Sequence, residues 1–189
     1  MTPDFPKLLQ ALPVSPPITV TLRRFVSKDA LYSRSPPNFL YTTGYKYRVN
    51  TAASLALYGA EDATTAGAEW ERGSKKSPRR LIQVLYFIEV AASVVDLESP
   101  AILNALQLTP ADLQEPWDVF PPVTTKLQLF GDAVAGQKKF GAVRFPSDAA
   151  RERGFKGFNF VMFPSAIVAP MSVIIRDDAN IEIQRWPAP

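Results

Sequence analysis

The sequence contains no cysteine and no histidine. Without cysteine there is no disulfide framework, no thiolate metal site and no sulfur nucleophile. Without histidine the commonest general base at neutral pH and the commonest metal ligand are missing too. Zinc-hydrolase, Ser-His-Asp and Cys-His chemistries are therefore excluded for this chain, and no metal is expected at its site. Any catalysis falls to Arg, Lys, Glu, Asp, Ser and Tyr. No GxGxxG and no GxSxG pattern occurs. The run Gly131 to Lys138 (GDAVAGQK) is close to a phosphate-binding loop, but its lysine is displaced by one position and no Ser or Thr follows.

Long apolar runs are also missing. The longest, Leu81 to Val95, contains Gln83 and Glu89 and is too short to span a bilayer. Pro3, Pro6, Pro13, Pro16 and Pro17 interrupt the amino-terminal stretch, which lacks the basic start and apolar core of a signal peptide. A soluble, cytoplasmic protein without a membrane partner is expected.

Proline, by contrast, is abundant: 18 residues in 189, about twice the usual share. Many short elements joined by stiff loops follow from that. Apolar residues make up 47%, enough for one domain with a sizeable core. The net charge of +3 is spread along a chain of mixed signs, so no direct nucleic-acid binding is expected. The one basic cluster, Lys75 to Arg80 (KKSPRR), is short and lacks interleaved aromatics, and it reads as a solvated connection rather than a phosphate patch.

Periodicity places the elements. Phe5 to Leu12 suits a helical turn within a Pro-rich arm, residues 1–17, ahead of a body spanning 18–189. Ile18 to Val26 alternates β-branched and polar residues and predicts a strand with Arg24 near its end. Phe39 to Thr42 suits a short strand. Ala52 to Tyr58 predicts a strand turning at Gly59 into a helix from about Asp62. Leu81 to Val90 is apolar on both faces, as a central strand requires. Ser99 before Pro100, Thr109 before Pro110, and Thr124 or Thr125 before Leu127 are helix-start signals. Trp117, Phe120, Pro121 and Pro122 form an aromatic and proline corner that reads as packing rather than as a ligand platform. Strands are expected at Gly141 to Phe145, Phe158 to Phe163, Met171 to Ile175 and Ile181 to Arg185, the last two joined through a turn at Asp177 to Asn180. The sum is an α+β domain with a mixed or antiparallel sheet.

Within Gly44 to Glu69 an arginine (Arg48), a tyrosine (Tyr58) and a glutamate (Glu69) are spaced so that they can meet in one cleft. These residues, with a serine in Phe-Pro-Ser context, resemble the RES-domain family, named for Arg, Glu and Ser. Its first motif is similar to RVN at Arg48 to Asn50, the pair Leu57-Tyr58, and TTAGAE ending at Glu69. Its second is similar to Gly131-Asp132-Ala133, RFPS ending at Ser147, and Gly157-Phe158-Asn159 ahead of FVMF. The order of these pieces selects Ser147 over Ser165. The chain departs from the pattern at Lys46-Tyr47, where a glycine pair is usual, and at Val49, where Trp is common.

The resemblance implies a compact ADP-ribosyltransferase-like α+β domain that consumes NAD⁺, as the toxin half of a bacterial toxin-antitoxin pair. It also implies an antitoxin partner carrying a helix-turn-helix DNA-binding part, and leaves a homo-oligomer open. NAD⁺ would be a substrate, cleaved at the nicotinamide bond by hydrolysis or phosphorolysis, or used to pass ADP-ribose to a protein. A non-catalytic module that kept the pocket, or one docking an acidic partner through KKSPRR, is the alternative of another class. Nicotinamide is a good leaving group and the transition state is oxocarbenium-like, so neither His nor Cys is needed. On this view Arg48, with Arg24 in support, takes the pyrophosphate. Tyr58 stacks on nicotinamide. Glu69 holds the ribose 2′-hydroxyl and offsets charge at the anomeric carbon. Ser147 donates to the nicotinamide carboxamide or adjoining ribose. Asn50 and Asn159, from the same motifs, are expected at the dinucleotide.

Overall fold

The computed structural model describes residues 2–28, 40–42, 44–74 and 82–188. The KKSPRR cluster lies outside them, as does Phe39 of the short strand expected at Phe39 to Thr42. Of that strand, Tyr41 makes an isolated bridge to Leu57.

Among the described residues eight strands form one mixed sheet: β1 (Ile18–Ser27), β2 (Leu57–Ala60), β3 (Gln83–Ala92), β4 (Val94–Asp96), β5 (Ala142–Pro146), β6 (Phe158–Met162), β7 (Ser172–Arg176) and β8 (Glu182–Trp186). The spatial order is β4-β5-β6-β2-β1-β3-β7-β8, antiparallel throughout except for the parallel pair of β4 and β5. Only Ser93 separates β3 from β4, and one residue advances the chain by less than 4 Å. Strands five places apart in the order are thus joined end to end, and the sheet must be rolled. Small residues permit the closure. A Cβ on Gly141 would overlap Ile167 and crowd Ala92.

Rolling divides the core in two. Leu22, Leu57, Ile88, Val90, Phe160 and Met162 belong to one cluster, while Val143, Phe145, Val161 and Phe163 belong to the other, packed with the helices. Strand alternation does the sorting: neighbours Phe160 and Val161 on β6 enter opposite clusters. Among the described residues the α-helices are α1 (Phe5–Ala11), α2 (Ala63–Ser74), α3 (Pro100–Ala105), α4 (Pro110–Gln114), α5 (Lys126–Ala135) and α6 (Asp148–Glu152). Ser99, Thr109 and Thr125 cap α3, α4 and α5 through their side-chain oxygens. The arm packs on the body. The Phe5 ring meets Phe130 of α5 edge-on at 5.6 Å, and Lys139 donates to the carbonyls of Leu9, Gln10 and Leu12 at the end of α1. None of the described helices is long and apolar enough to cross a membrane.

Two elements depart from expectation in ways that matter for the site. The strand expected at Ala52 to Tyr58 begins only at Leu57, so Tyr58 lies near its start and Gly59 within it. Asn50 and Thr51 cause the delay. The Asn50 amide donates to the carbonyls of Thr51 and Ser54, and Thr51 Oγ1 accepts from Ala53 N, which folds 51–54 into a turn. The second departure is α6, a short helix where no element was expected; β4 was likewise not anticipated.

Candidate functional site

The loop carrying Arg48 is fastened to α5. A Cβ on Gly131 would overlap the carbonyl oxygen of Val49, so only glycine lets the helix approach this closely. The neighbouring Asp132 accepts from Thr51 N (3.1 Å) and from Thr51 Oγ1 (2.6 Å), and Gln128 Nε2 donates to Tyr47 O (2.7 Å). The Gly-Asp-Ala triplet therefore acts on Arg48 from across the fold.

So held, Arg48 donates from Nη1 to Leu113 O at 2.8 Å and pairs through Nη2 with Asp148. Burial pulls its pKa below the ordinary arginine value, with nearby Arg72 adding to the effect. Asp148 is only 8% exposed and also faces Arg72 (3.8 Å) and Arg151 (3.3 Å). It stands in the first turn of α6, where the helix dipole favours a carboxylate.

Glu69 is placed by a different set of close approaches. Asp62 accepts from Thr65 N and Thr65 Oγ1, both at 2.8 Å, and starts α2. A Cβ on Gly157 would strike Thr65 and Ala150, so the Gly-x-Asn triplet lets α2 settle beside α6. Glu69 Oε1 then accepts from Ser147 Oγ (2.7 Å) and Asn159 Nδ2 (2.6 Å). Both bonds fall on the same oxygen, leaving Oε2 to the cavity that Glu69 lines. Ser147 Oγ in turn accepts from Ala150 N and caps α6. One hydroxyl thus fixes both Glu69 and the helix that carries Asp148.

These groups border a cavity of about 600 Å³, within the range usual for small-molecule sites. Strands β1 and β2 share a single registered pair, Arg23 with Ala60, and the cavity lining runs along both from there. Arg24, Arg48 and Arg72 supply guanidinium groups to its wall. Arg24 Nε is buried without a hydrogen-bond partner, an arrangement that an anion would complete.

Aromatic side chains line another part of the wall. Tyr58 meets Phe145 edge-on (6.3 Å) and Tyr47 at a tilt (5.8 Å), and Tyr47 stacks on Trp117 at 5.6 Å and 29°. Tyr58 Oη donates to Asn50 Oδ1 (2.9 Å) and accepts from Val49 N (3.0 Å). Burial pushes its pKa far above the ordinary phenol value, so it offers a ring to the cavity and not a proton.

Of the expected site residues, Arg24, Arg48, Tyr58, Glu69 and Asn159 line this one cavity. Ser147 and Asn50 sit behind the wall. Ser147 is 2% exposed and gives its hydrogen to Glu69, while Asn50 is fully buried and orients the Tyr58 hydroxyl. Sequence reasoning missed Tyr47, Arg72, Phe145 and Asp148, and took Trp117 for packing alone. The Ser-Asp pair at 147–148 is a helix-start signal that could have exposed Asp148. Nothing local marks Trp117.

No curated protein matches the chain. A family model described as RES domain matches residues 22–186, which takes in every cavity residue named above. The chain belongs to the RES-domain family.

Proposed function

We infer that this chain cleaves the nicotinamide–ribose bond of NAD⁺, as a glycohydrolase or phosphorylase. Membership in a family associated with NAD-utilising, toxin-like enzymes supports the reading. The observation that carries it is the Glu69 carboxylate, held at one oxygen by Ser147 and Asn159 and turned into a cavity walled by arginines.

Glu69 Oε2 accepts the 2′-hydroxyl of the ribose and offsets positive charge as the C–N bond lengthens. The bonding pair leaves with nicotinamide and neutralises its ring, so no general acid is required. Water or phosphate then adds to the anomeric carbon, water releasing one proton. Arg48 and Arg24 bind the pyrophosphate, and Tyr58 with Phe145 packs the nicotinamide ring. Ser147 acts through Glu69, and Asn50 through Tyr58. The biological setting is a toxin whose antitoxin, with a helix-turn-helix part, covers this cavity; an equimolar antitoxin should stop NAD⁺ consumption.

The test incubates purified protein with NAD⁺, with and without inorganic phosphate, and identifies the ADP-ribosyl product. Free ADP-ribose marks hydrolysis, a phosphorylated ADP-ribose marks phosphorolysis, and protein-linked ADP-ribose marks transfer. Wild-type turnover that survives Glu69→Ala would remove the site assignment. Binding of NAD⁺ without any product would mark a retained pocket without catalysis.

A further inference from the structure

The mechanism above uses one ring-binding surface, at Tyr58 and Phe145. A second aromatic surface lines the same cavity on the loop side. Trp117 stacks on Tyr47 at 5.6 Å and 29°, and Tyr47 is 38% exposed. This pair does not belong to either core cluster. It is nevertheless anchored: Gln128 Nε2 holds the Tyr47 carbonyl at 2.7 Å, and Lys46 Nζ holds the Val123 carbonyl at 3.2 Å, tying the loop after Trp117 to the loop before Arg48. A fixed pair of partly exposed rings facing a cavity is built like a stacking platform, since such rings give up little conformational freedom when they bind a planar group.

We propose that Trp117, backed by Tyr47, stacks on the adenine base of the dinucleotide. The inference rests on the NAD⁺ reading, which places nicotinamide against Tyr58 and Phe145 beside Glu69, and the pyrophosphate on the guanidinium groups of Arg24 and Arg48. The planar group at the far end of the substrate then requires a surface of its own; Phe25 and Trp70 also line the cavity, and Trp117 with Tyr47 is a stacked aromatic pair on its wall. Stacking on a ring face reads no hydrogen-bond edge, so this subsite binds purines broadly.

The test measures dissociation constants of ADP-ribose, which carries adenine, and of nicotinamide mononucleotide, which does not, by calorimetry on the full chain. Trp117→Ala should weaken ADP-ribose about tenfold, the size of one base-on-ring stack. It should leave nicotinamide mononucleotide within about twofold, and Trp117→Phe should recover most of the loss. Equal weakening of both ligands would make Trp117 a mere support for Tyr47 and overturn the proposal. So would no weakening of either. Wild-type protein that binds neither ligand would instead overturn the NAD⁺ reading, and this subsite with it.

Discussion

Asp148 and Ser147 do their work through other side chains, and each makes a distinct prediction. Removing the Asp148 carboxylate leaves the Arg48 guanidinium, with a side chain 12% exposed, without its charge partner. Breaking a buried pair from one side is strongly destabilising, and Asp148→Ala should lower stability by about 3 kcal/mol in denaturant unfolding. Asp148→Asn, which keeps the shape and a hydrogen-bonding oxygen, should lower it less. Ser147→Ala removes a cap and one of the two donors to Glu69. It should cost about 1 kcal/mol in stability and reduce kcat for NAD⁺ cleavage while KM stays close to wild type, because the carboxylate is disoriented but still present. A rise in KM with kcat unchanged would instead put the serine hydroxyl in contact with bound substrate.

At the scale of elements, the site depends on helices meeting loops at glycine. Gly131→Ala forces α5 away from the Val49 carbonyl and should destabilise by about 1 to 3 kcal/mol, as overpacking does. Because the displaced loop carries Arg48, binding of ADP-ribose should weaken in the same variant. Gly67→Ala, on the same helix as Glu69 but with open space around the added methyl, is the control and should be neutral or slightly stabilising. Elements with local signals were legible in the sequence. The caps at Ser99, Thr109 and Thr125 are written in side chains that bond to their own first turns. The strand at Ala52 to Tyr58 was misread because its small apolar residues carry no alternation, and the bonds that fold 51–54 come from Asn50 and Thr51 just upstream.

Across the whole molecule, the rolled sheet decides what the sequence could and could not reveal. Arg48, Tyr58, Glu69 and Ser147 were legible as a set because family motifs carry them, but their division into wall and support was not. That Ser147 gives its hydrogen to Glu69 depends on β5, α6 and α2 meeting in space, 78 residues apart in the chain. Trp117 meets Tyr47 on the cavity wall across another long separation in the chain. Closure of the carboxyl-terminal edge is equally non-local. Tyr41 Oη donates to Gln184 Oε1 (2.6 Å) and accepts from Trp186 Nε1 (2.7 Å), tying β8 to the segment before β2. Burial raises the Tyr41 pKa to about 12, above the roughly 10 of an unfolded tyrosine. The folded chain therefore keeps this proton where the unfolded chain loses it. Its contribution to stability is complete below about pH 10 and declines as pH rises toward 12. Tyr41→Phe should flatten that decline in unfolding experiments run between pH 9 and about 12, at the expense of lower stability at neutral pH.

The central claim is that the carboxylate of Glu69 drives loss of nicotinamide from NAD⁺, and proton NMR of a single NAD⁺ sample tests it most directly. With wild-type protein, free nicotinamide should appear in step with the loss of NAD⁺, and with Glu69→Gln both should slow by at least about a hundredfold while the protein stays folded. Intact NAD⁺ after prolonged incubation with the wild type, or equal rates for the two proteins, would contradict the account.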